Sequence, residues 1–202
     1  MITIIDYGMG NLGSIQNMFK RIGVASEITG DKKRIASASK ILLPGVGAFD
    51  AAMEKIAETD LLETLNKKAL EDKVPVLGIC LGMQLLTKRS EEGNLAGLGW
   101  IDGETIKFTF TDSSLKVPHM GWNLIHPVKA NPLTADLPPE PRFYFVHSYY
   151  VRANDPDNVL STTHYGSDFH SIIQHQNIFG AQFHPEKSHK FGMQLLANFA
   201  KI

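Results

Sequence analysis

Only one of the 202 residues is a cysteine, Cys80, so no internal disulfide can form. The C-x-x-C spacing of a structural metal site is absent, and no metal is expected. A lone thiol fits a reducing compartment, and a cytoplasmic location is expected. Charge of one sign is also lacking. Twenty basic residues against 21 acidic ones leave a net charge of −1, and no basic stripe interrupts the balance. No field therefore steers the chain to nucleic acid or to a membrane surface. Long apolar runs are missing too. No stretch reaches transmembrane length, and Met1-Ile2-Thr3-Ile4-Ile5-Asp6 has no basic segment leading into a long apolar one, so no signal peptide is read there. What remains is 43% apolar residues, enough in a chain of this length to bury a core as a single domain over 1–202.

The first half alternates short apolar runs with amphipathic ones. Ile2–Ile5, Val24–Ile28, Ile41–Leu43 and Val74–Ile79 read as strands. Leu12–Ile22, Phe49–Ala57 and Leu61–Leu70 read as helices, the first with Ile15, Met18, Phe19 and Ile22 on one face. Continuous apolar strands separated by helices predict an α/β fold of three layers, a mostly parallel sheet with helices on both faces. The second half is β-rich around Glu104–Thr111, Arg142–His147, Val159–Tyr165, Ser171–His175 and Ile178–Phe183. It predicts an antiparallel extension of that sheet. Phe191–Phe199 reads as a closing helix, and Pro127–Pro141 as a surface loop.

Three segments bear chemistry. Gly78-Ile79-Cys80-Leu81-Gly82, between an apolar strand and a helix start, has the form of a nucleophile elbow, with glycines permitting the sharp turn. A helix start favours thiolate over thiol, although a lone cysteine can equally be a small buried hydrophobe. Phe183-His184-Pro185-Glu186 follows another apolar strand. His184 is a candidate base and Glu186 its orienting carboxylate, since residues i and i+2 of an extended segment point the same way. A plain polar turn is the alternative. Pro44-Gly45-Val46-Gly47, after a third strand, offers the N–H groups of Val46 and Gly47 for an oxyanion, with Leu81 N–H as a second donor, or else is an ordinary turn. Gln84, four residues after Cys80, can face the same pocket. A competing signal is Gly8-Met9-Gly10-Asn11-Leu12-Gly13, a literal G-x-G-x-x-G with Glu27 closing the next strand, as in a dinucleotide site. Asp6-Tyr7 before its tight turn argues against it.

Elbow cysteine, strand-end His-Pro-Glu and upstream glycine loop together suit acyl transfer through a thioester. At Pro75–Leu86 and Gln182–Ser188 the chain resembles the class I glutamine amidotransferases, whose fold is flavodoxin-like, and the resemblance spans nearly its whole length. It implies hydrolysis of L-glutamine by Cys80, His184 and Glu186, with no cofactor, and places His147, Ser148 and Tyr149 against the glutamine backbone groups. It also makes the glycine run at Gly8–Gly13 the family's first turn. Ile4–Leu12, Leu43–Phe49, Pro118–Asn123 and Phe143–Tyr149 are similar to one branch of the family. Its Pro-Gly-Val-Gly differs from the Pro-Gly-Pro-Gly or Pro-Gly-Gly of several relatives. That branch passes ammonia to a separate (β/α)8 cyclase subunit in a heterodimer, and is weakly active without it. The likeness implies a partner surface at Asn11, Trp122, Asn123 and Lys187; core packing for Trp122 and a solvated charge for Lys187 are the alternatives. A glutaminase subunit of pyridoxal phosphate or anthranilate synthase, or a binding module with an inert cysteine, also stays open.

Overall fold

The computed structural model describes all 202 residues. Four strands of the first half, β1 (Ile2–Ile5), β2 (Ser26–Thr29), β3 (Ile41–Leu43) and β4 (Val76–Ile79), pair in parallel. The helices between them are α1 (Leu12–Arg21), α2 (Lys32–Ala36), α3 (Phe49–Glu58) and α4 (Leu62–Asn66), the last running on as a π-helical turn over Lys67–Glu71. The apolar runs split by parity. Ile5, Ile41, Leu43 and Val76 join Phe49, Ile56 and Leu65 on one face, whereas Ile2, Ile4, Leu42, Leu77 and Ile79 join Ile15, Phe19, Leu195 and Phe199 on the other. Successive side chains of a strand point to opposite faces, so a strand covered on both must be apolar throughout.

After β4 come α5 (Leu81–Leu85), β5 (Gly103–Lys107), β6 (His119–Leu124), β7 (His126–Pro127), β8 (Arg142–His147), β9 (Tyr149–Ala153), β10 (Val159–Tyr165), β11 (Ser167–His175), β12 (Ile178–Ala181) and α6 (His189–Lys201). The main sheet has the order β2-β1-β3-β4-β12-β11-β10-β7. β12 returns parallel to β4, and β11, β10 and β7 extend the sheet antiparallel, as expected. Two expected β segments leave that sheet: β5 pairs with β9, and β8 with β6, a strand the sequence pattern did not predict, in separate two-stranded sheets. The predicted helix over Leu61–Leu70 is broken by its π turn, and the Pro127–Pro141 loop contains β7 and a 3-10 turn at Pro132–Thr134. No helix is long and apolar enough to cross a membrane.

What this topology does for function is simple. β3, β4 and β12 are adjacent and parallel, with Leu43 opposite Gly78 and Ala181 opposite Ile79. The segments leaving their carboxyl ends therefore emerge side by side, where sites in such sheets form.

Candidate active site

Cys80 is buried and sits in the left-handed region, at φ 53° and ψ −112°. Such strain in a non-glycine residue costs roughly 1–3 kcal/mol and persists only where the surroundings hold it. Here they do. Cys80 N donates to Ala181 O at 2.8 Å, and Cys80 O accepts from Met83 N and Gln84 N. The flanking glycines are obligatory for space, because a Cβ on Gly78 would lie 2.6 Å from Gly82 O and one on Gly82 would lie 2.0 Å from Leu43 O.

His184 follows β12 after a bend and is fastened to β8: its N–H donates to Tyr144 O at 2.9 Å, and Ser188 Oγ donates to its carbonyl at 2.6 Å. Its Nδ1 is 2.8 Å from Glu186 Oε1, both side chains being buried. The expected pair thus forms, but by a different route. Pro185–Lys187 is a 3-10 turn rather than an extended segment, and the turn curls Glu186 back under the ring. The other nitrogen, Nε2, is buried without a hydrogen-bond partner. Burial pulls the pKa of His184 down, but attraction of its imidazolium to Cys80 and Glu186 outweighs this and raises it to about 10.

A cleft of about 350 Å³ opens over these groups. Val46, Gly47 and Leu81 form one wall, and their N–H groups donate no hydrogen bond within the protein. Gly47 has φ +102°, and Tyr7 Oη, donating to Pro44 O at 2.7 Å, anchors the loop from beneath. Burial, and then charge interaction with Cys80, raise the Tyr7 pKa, so this donor stays protonated. His147, Ser148 and Tyr149 also wall the cleft. Gln84 reaches the cleft, yet its Nε2 is committed to Tyr149 O at 3.0 Å and Gln182 Oε1 at 3.2 Å, leaving Oε1 as what it can offer a ligand. Gln182 Nε2 in turn approaches Cys80 Sγ at 3.9 Å.

The sequence reading missed Glu92. It is the one carboxylate lining the cleft, half-buried, with Oε2 accepting from Phe49 N at 2.9 Å. Burial raises its pKa, an effect the Phe49 hydrogen bond opposes. Nothing in Ser90-Glu91-Glu92-Gly93 distinguishes it from any polar loop.

The surface candidates divide. Trp122 is 47% exposed, stacked on His189 at 5.5 Å and edge-on to Tyr144, so it is not a core residue. Lys187 lies 5.5 Å from the Tyr144 ring centroid, forms no ion pair and also borders the cleft. Asn11 is exposed at the start of α1, which packs on the Pro185–Lys187 turn. Asn123 is instead half-buried, with Nδ2 donating to His164 O and Oδ1 accepting from Leu124 N. The glycine run lacks a dinucleotide site's packing. Its third glycine, Gly13, has open space where a Cβ would go, and the Glu27 carboxylate is taken by Thr3 and Arg34.

A family model of glutamine amidotransferase class-I matches residues 3–202. Imidazole glycerol phosphate synthase subunit HisH 2 of Methanococcus maripaludis is 54% identical over 201 residues, covering 100% of this chain and 99% of that one. The protein of the same name from Pseudomonas aeruginosa is 47% identical over 202 residues, covering 100% of both. Among solved structures, a glutamine amidotransferase from Thermotoga maritima superposes with a TM-score of 0.66 at 17% identity. That likeness, over 99% of this chain and 82% of the other, concerns the fold.

Proposed function

The chain belongs to the glutamine amidotransferase class-I family, and from that premise we propose that it is the glutaminase subunit of an imidazole glycerol phosphate synthase, one domain over residues 1–202. It delivers ammonia to a (β/α)8 cyclase subunit, which makes imidazole glycerol phosphate and aminoimidazole carboxamide ribonucleotide in L-histidine biosynthesis. The full-length likeness to proteins of that name supports the assignment, and the free thiol suits a cytoplasmic setting.

The observation behind the mechanism is the buried contact of His184 Nδ1 with Glu186, in the cleft that Cys80 also lines. The His184 imidazolium lies beside the sulfur, and Cys80 attacks the side-chain carbonyl carbon of glutamine as the thiolate. The oxyanion is met by the free N–H groups of Leu81 and the Val46-Gly47 segment. His184 protonates the leaving nitrogen, ammonia departs, and a γ-glutamyl thioester remains on Cys80. The now neutral His184, oriented by Glu186, takes a proton from water, which attacks the thioester to release glutamate and regenerate the thiolate. Gln84, His147, Ser148 and Tyr149 line the substrate side. Glu92, the cleft's only carboxylate, suits the α-ammonium group.

The partner surface is β6. Its outward residues are Met120, 62% exposed, and Trp122, 47% exposed, two large apolar side chains on a narrow strand near the cleft. Buried aromatic anchors ringed by polar groups are what protein interfaces use, which favours one member of a complex over a freestanding hydrolase. Asn11 and Lys187 complete the surface, with Lys187 the free cation for a cross-interface ion pair, whereas Asn123, on the other face of β6 with its amide already bonded, does not belong to it. Val46 is exposed and Gly47 is in the left-handed region, so the oxyanion loop can reorient, and glutaminase activity is weak until the cyclase and its ribonucleotide are bound. Glutamine turnover by the chain alone, with the cyclase, and with cyclase plus ribonucleotide tests the reading. Turnover rising only in the last mixture is expected, whereas none in any mixture would overturn it.

A further inference from the structure

β6 has a second face. Opposite its outward Met120 and Trp122 stand His119, buried, and half-buried Asn123. Three short contacts run inward from them. Asn123 Nδ2 lies 3.3 Å from His119 Nε2, His119 Nδ1 lies 3.1 Å from His147 Nε2, and His147 Nδ1 lies 2.7 Å from Tyr149 O. Their protons can be assigned from chemistry alone. A carbonyl only accepts, so His147 is protonated on Nδ1, and its bare Nε2 must accept. His119 is then protonated on Nδ1, and its own bare Nε2 accepts from the Asn123 amide. That amide is oriented independently by His164 O and Leu124 N. Every other assignment sets two donors or two lone pairs against each other. The same Tyr149 carbonyl takes its second donor from Gln84, whose partner Gln182 approaches Cys80.

We propose that His119 is a positioning residue for the glutamine-binding wall of the cleft: it locks His147 in the Nδ1–H tautomer, and so fixes the Tyr149 carbonyl on which Gln84 also depends. The proposal rests on the glutaminase reading of that cleft. Two further observations support it. His119 is sandwiched between Phe145, with ring centroids 4.9 Å apart, and Tyr165, at 4.1 Å, so its ring is held in plane. Burial also pushes the pKa of His119 down to about 4 and that of His147 to about 3, keeping both neutral as the arrangement requires. Protonating either would set two N–H groups head to head.

Ring 15N shifts of the full-length protein at neutral pH read the tautomers directly. Both histidines are expected as Nδ1–H; an Nε2–H or doubly protonated ring at either position would overturn the relay. The functional arm compares wild type, His119→Phe and His119→Asn in labelling of Cys80 by a diazoketone analogue of glutamine and by iodoacetamide. The Phe variant should lose about tenfold or more in analogue labelling through weaker binding, as a buried acceptor left unpaired would. The Asn variant, which keeps an N–H near the Nδ1 position, should recover part of this, and iodoacetamide should react alike with all three. Equal analogue labelling in a folded His119→Phe protein, or equal losses with both reagents, would refute a positioning role. Failure of the wild type to take the analogue or hydrolyse glutamine would refute the glutaminase reading instead, and the 15N assignment would still decide the relay.

Discussion

Replacing Cys80 by alanine should move a proton on a different residue. Burial alone would push the pKa of His184 below the ordinary 6.5; its interactions with Cys80 and Glu186 outweigh this and carry it to about 10. Removing an opposite charge within about 4–6 Å typically shifts a pKa by 1–3 units, at about 1.4 kcal/mol per unit. In Cys80→Ala, His184 should therefore titrate roughly 1–3 units lower than in wild type, with Glu186 alone still supporting the charged form. Adding Glu186→Gln leaves burial unopposed and should make the ring neutral at pH 7. The assay is the Cε1–H resonance of His184 followed through a pH titration and assigned with His184→Gln. The sign also fixes the activity profile. The acid that protonates departing ammonia is present at neutral pH and is lost as pH rises through about 10, so thioester formation should stay level through neutrality and fail on the alkaline side. A His184 resonance that titrates at the same pH in wild type and Cys80→Ala would refute the ion-pair argument, and with it the account of how the thiolate is stabilised.

Glu92→Gln should raise KM for glutamine about 10- to 100-fold with little change in kcat, because a hydrogen bond to a charged group is worth about 1.5–3 kcal/mol; an unchanged KM in steady-state kinetics would remove Glu92 from the substrate site. Trp122→Ala should leave the thermal midpoint nearly unchanged, since the ring is 47% exposed. It should weaken cyclase binding by about 30-fold or more, as a hot-spot aromatic would, measured by titration calorimetry. The glycines should separate cleanly in urea unfolding. Gly82→Ala, its Cβ 2.0 Å from a backbone oxygen, should cost about 3 kcal/mol or more, whereas Gly13→Ala, in open space on α1, should gain about 0.5–1 kcal/mol.

The first half of the fold was legible because parallel strands covered on both faces are apolar without interruption, and Ile2–Ile5 and Ile41–Leu43 begin and end where the pattern does. The second half was harder for definable reasons. β6 turns Met120 and Trp122 outward and His119 inward, the reverse of the usual burial pattern, so alternation points to no core face. α2 is five residues with only Ile35 buried, too short for a helical period to register. Cys80 and the His184–Glu186 pair were readable because each is local along the chain. Glu92 and Gln182 take their meaning from Phe49 and from Gln84 and Cys80, contacts made across 43 to 102 residues, and no spacing rule anticipates those.

The two glycine motifs make the same point physically. Gly8-Met9-Gly10-Asn11-Leu12-Gly13 and Gly78-Ile79-Cys80-Leu81-Gly82 both sit between a strand and a helix, and on paper both promise a tight turn. In the first, Gly8 and Gly10 are needed for backbone conformations at φ +89° and +112°, but Gly13 faces nothing within 4 Å. The pattern is thus two turn glycines and a coincidence. In the second, a Cβ added at Gly78 or Gly82 would lie 2.6 or 2.0 Å from a backbone oxygen, because β4 and α5 close on each other and on the end of β3. That crowding is what forces Cys80 into its left-handed conformation and holds it beside the Val46-Gly47 loop. The elbow motif is therefore a statement about three chain segments meeting at one point, and a match to its spacing is informative only where the third segment is present to press against it.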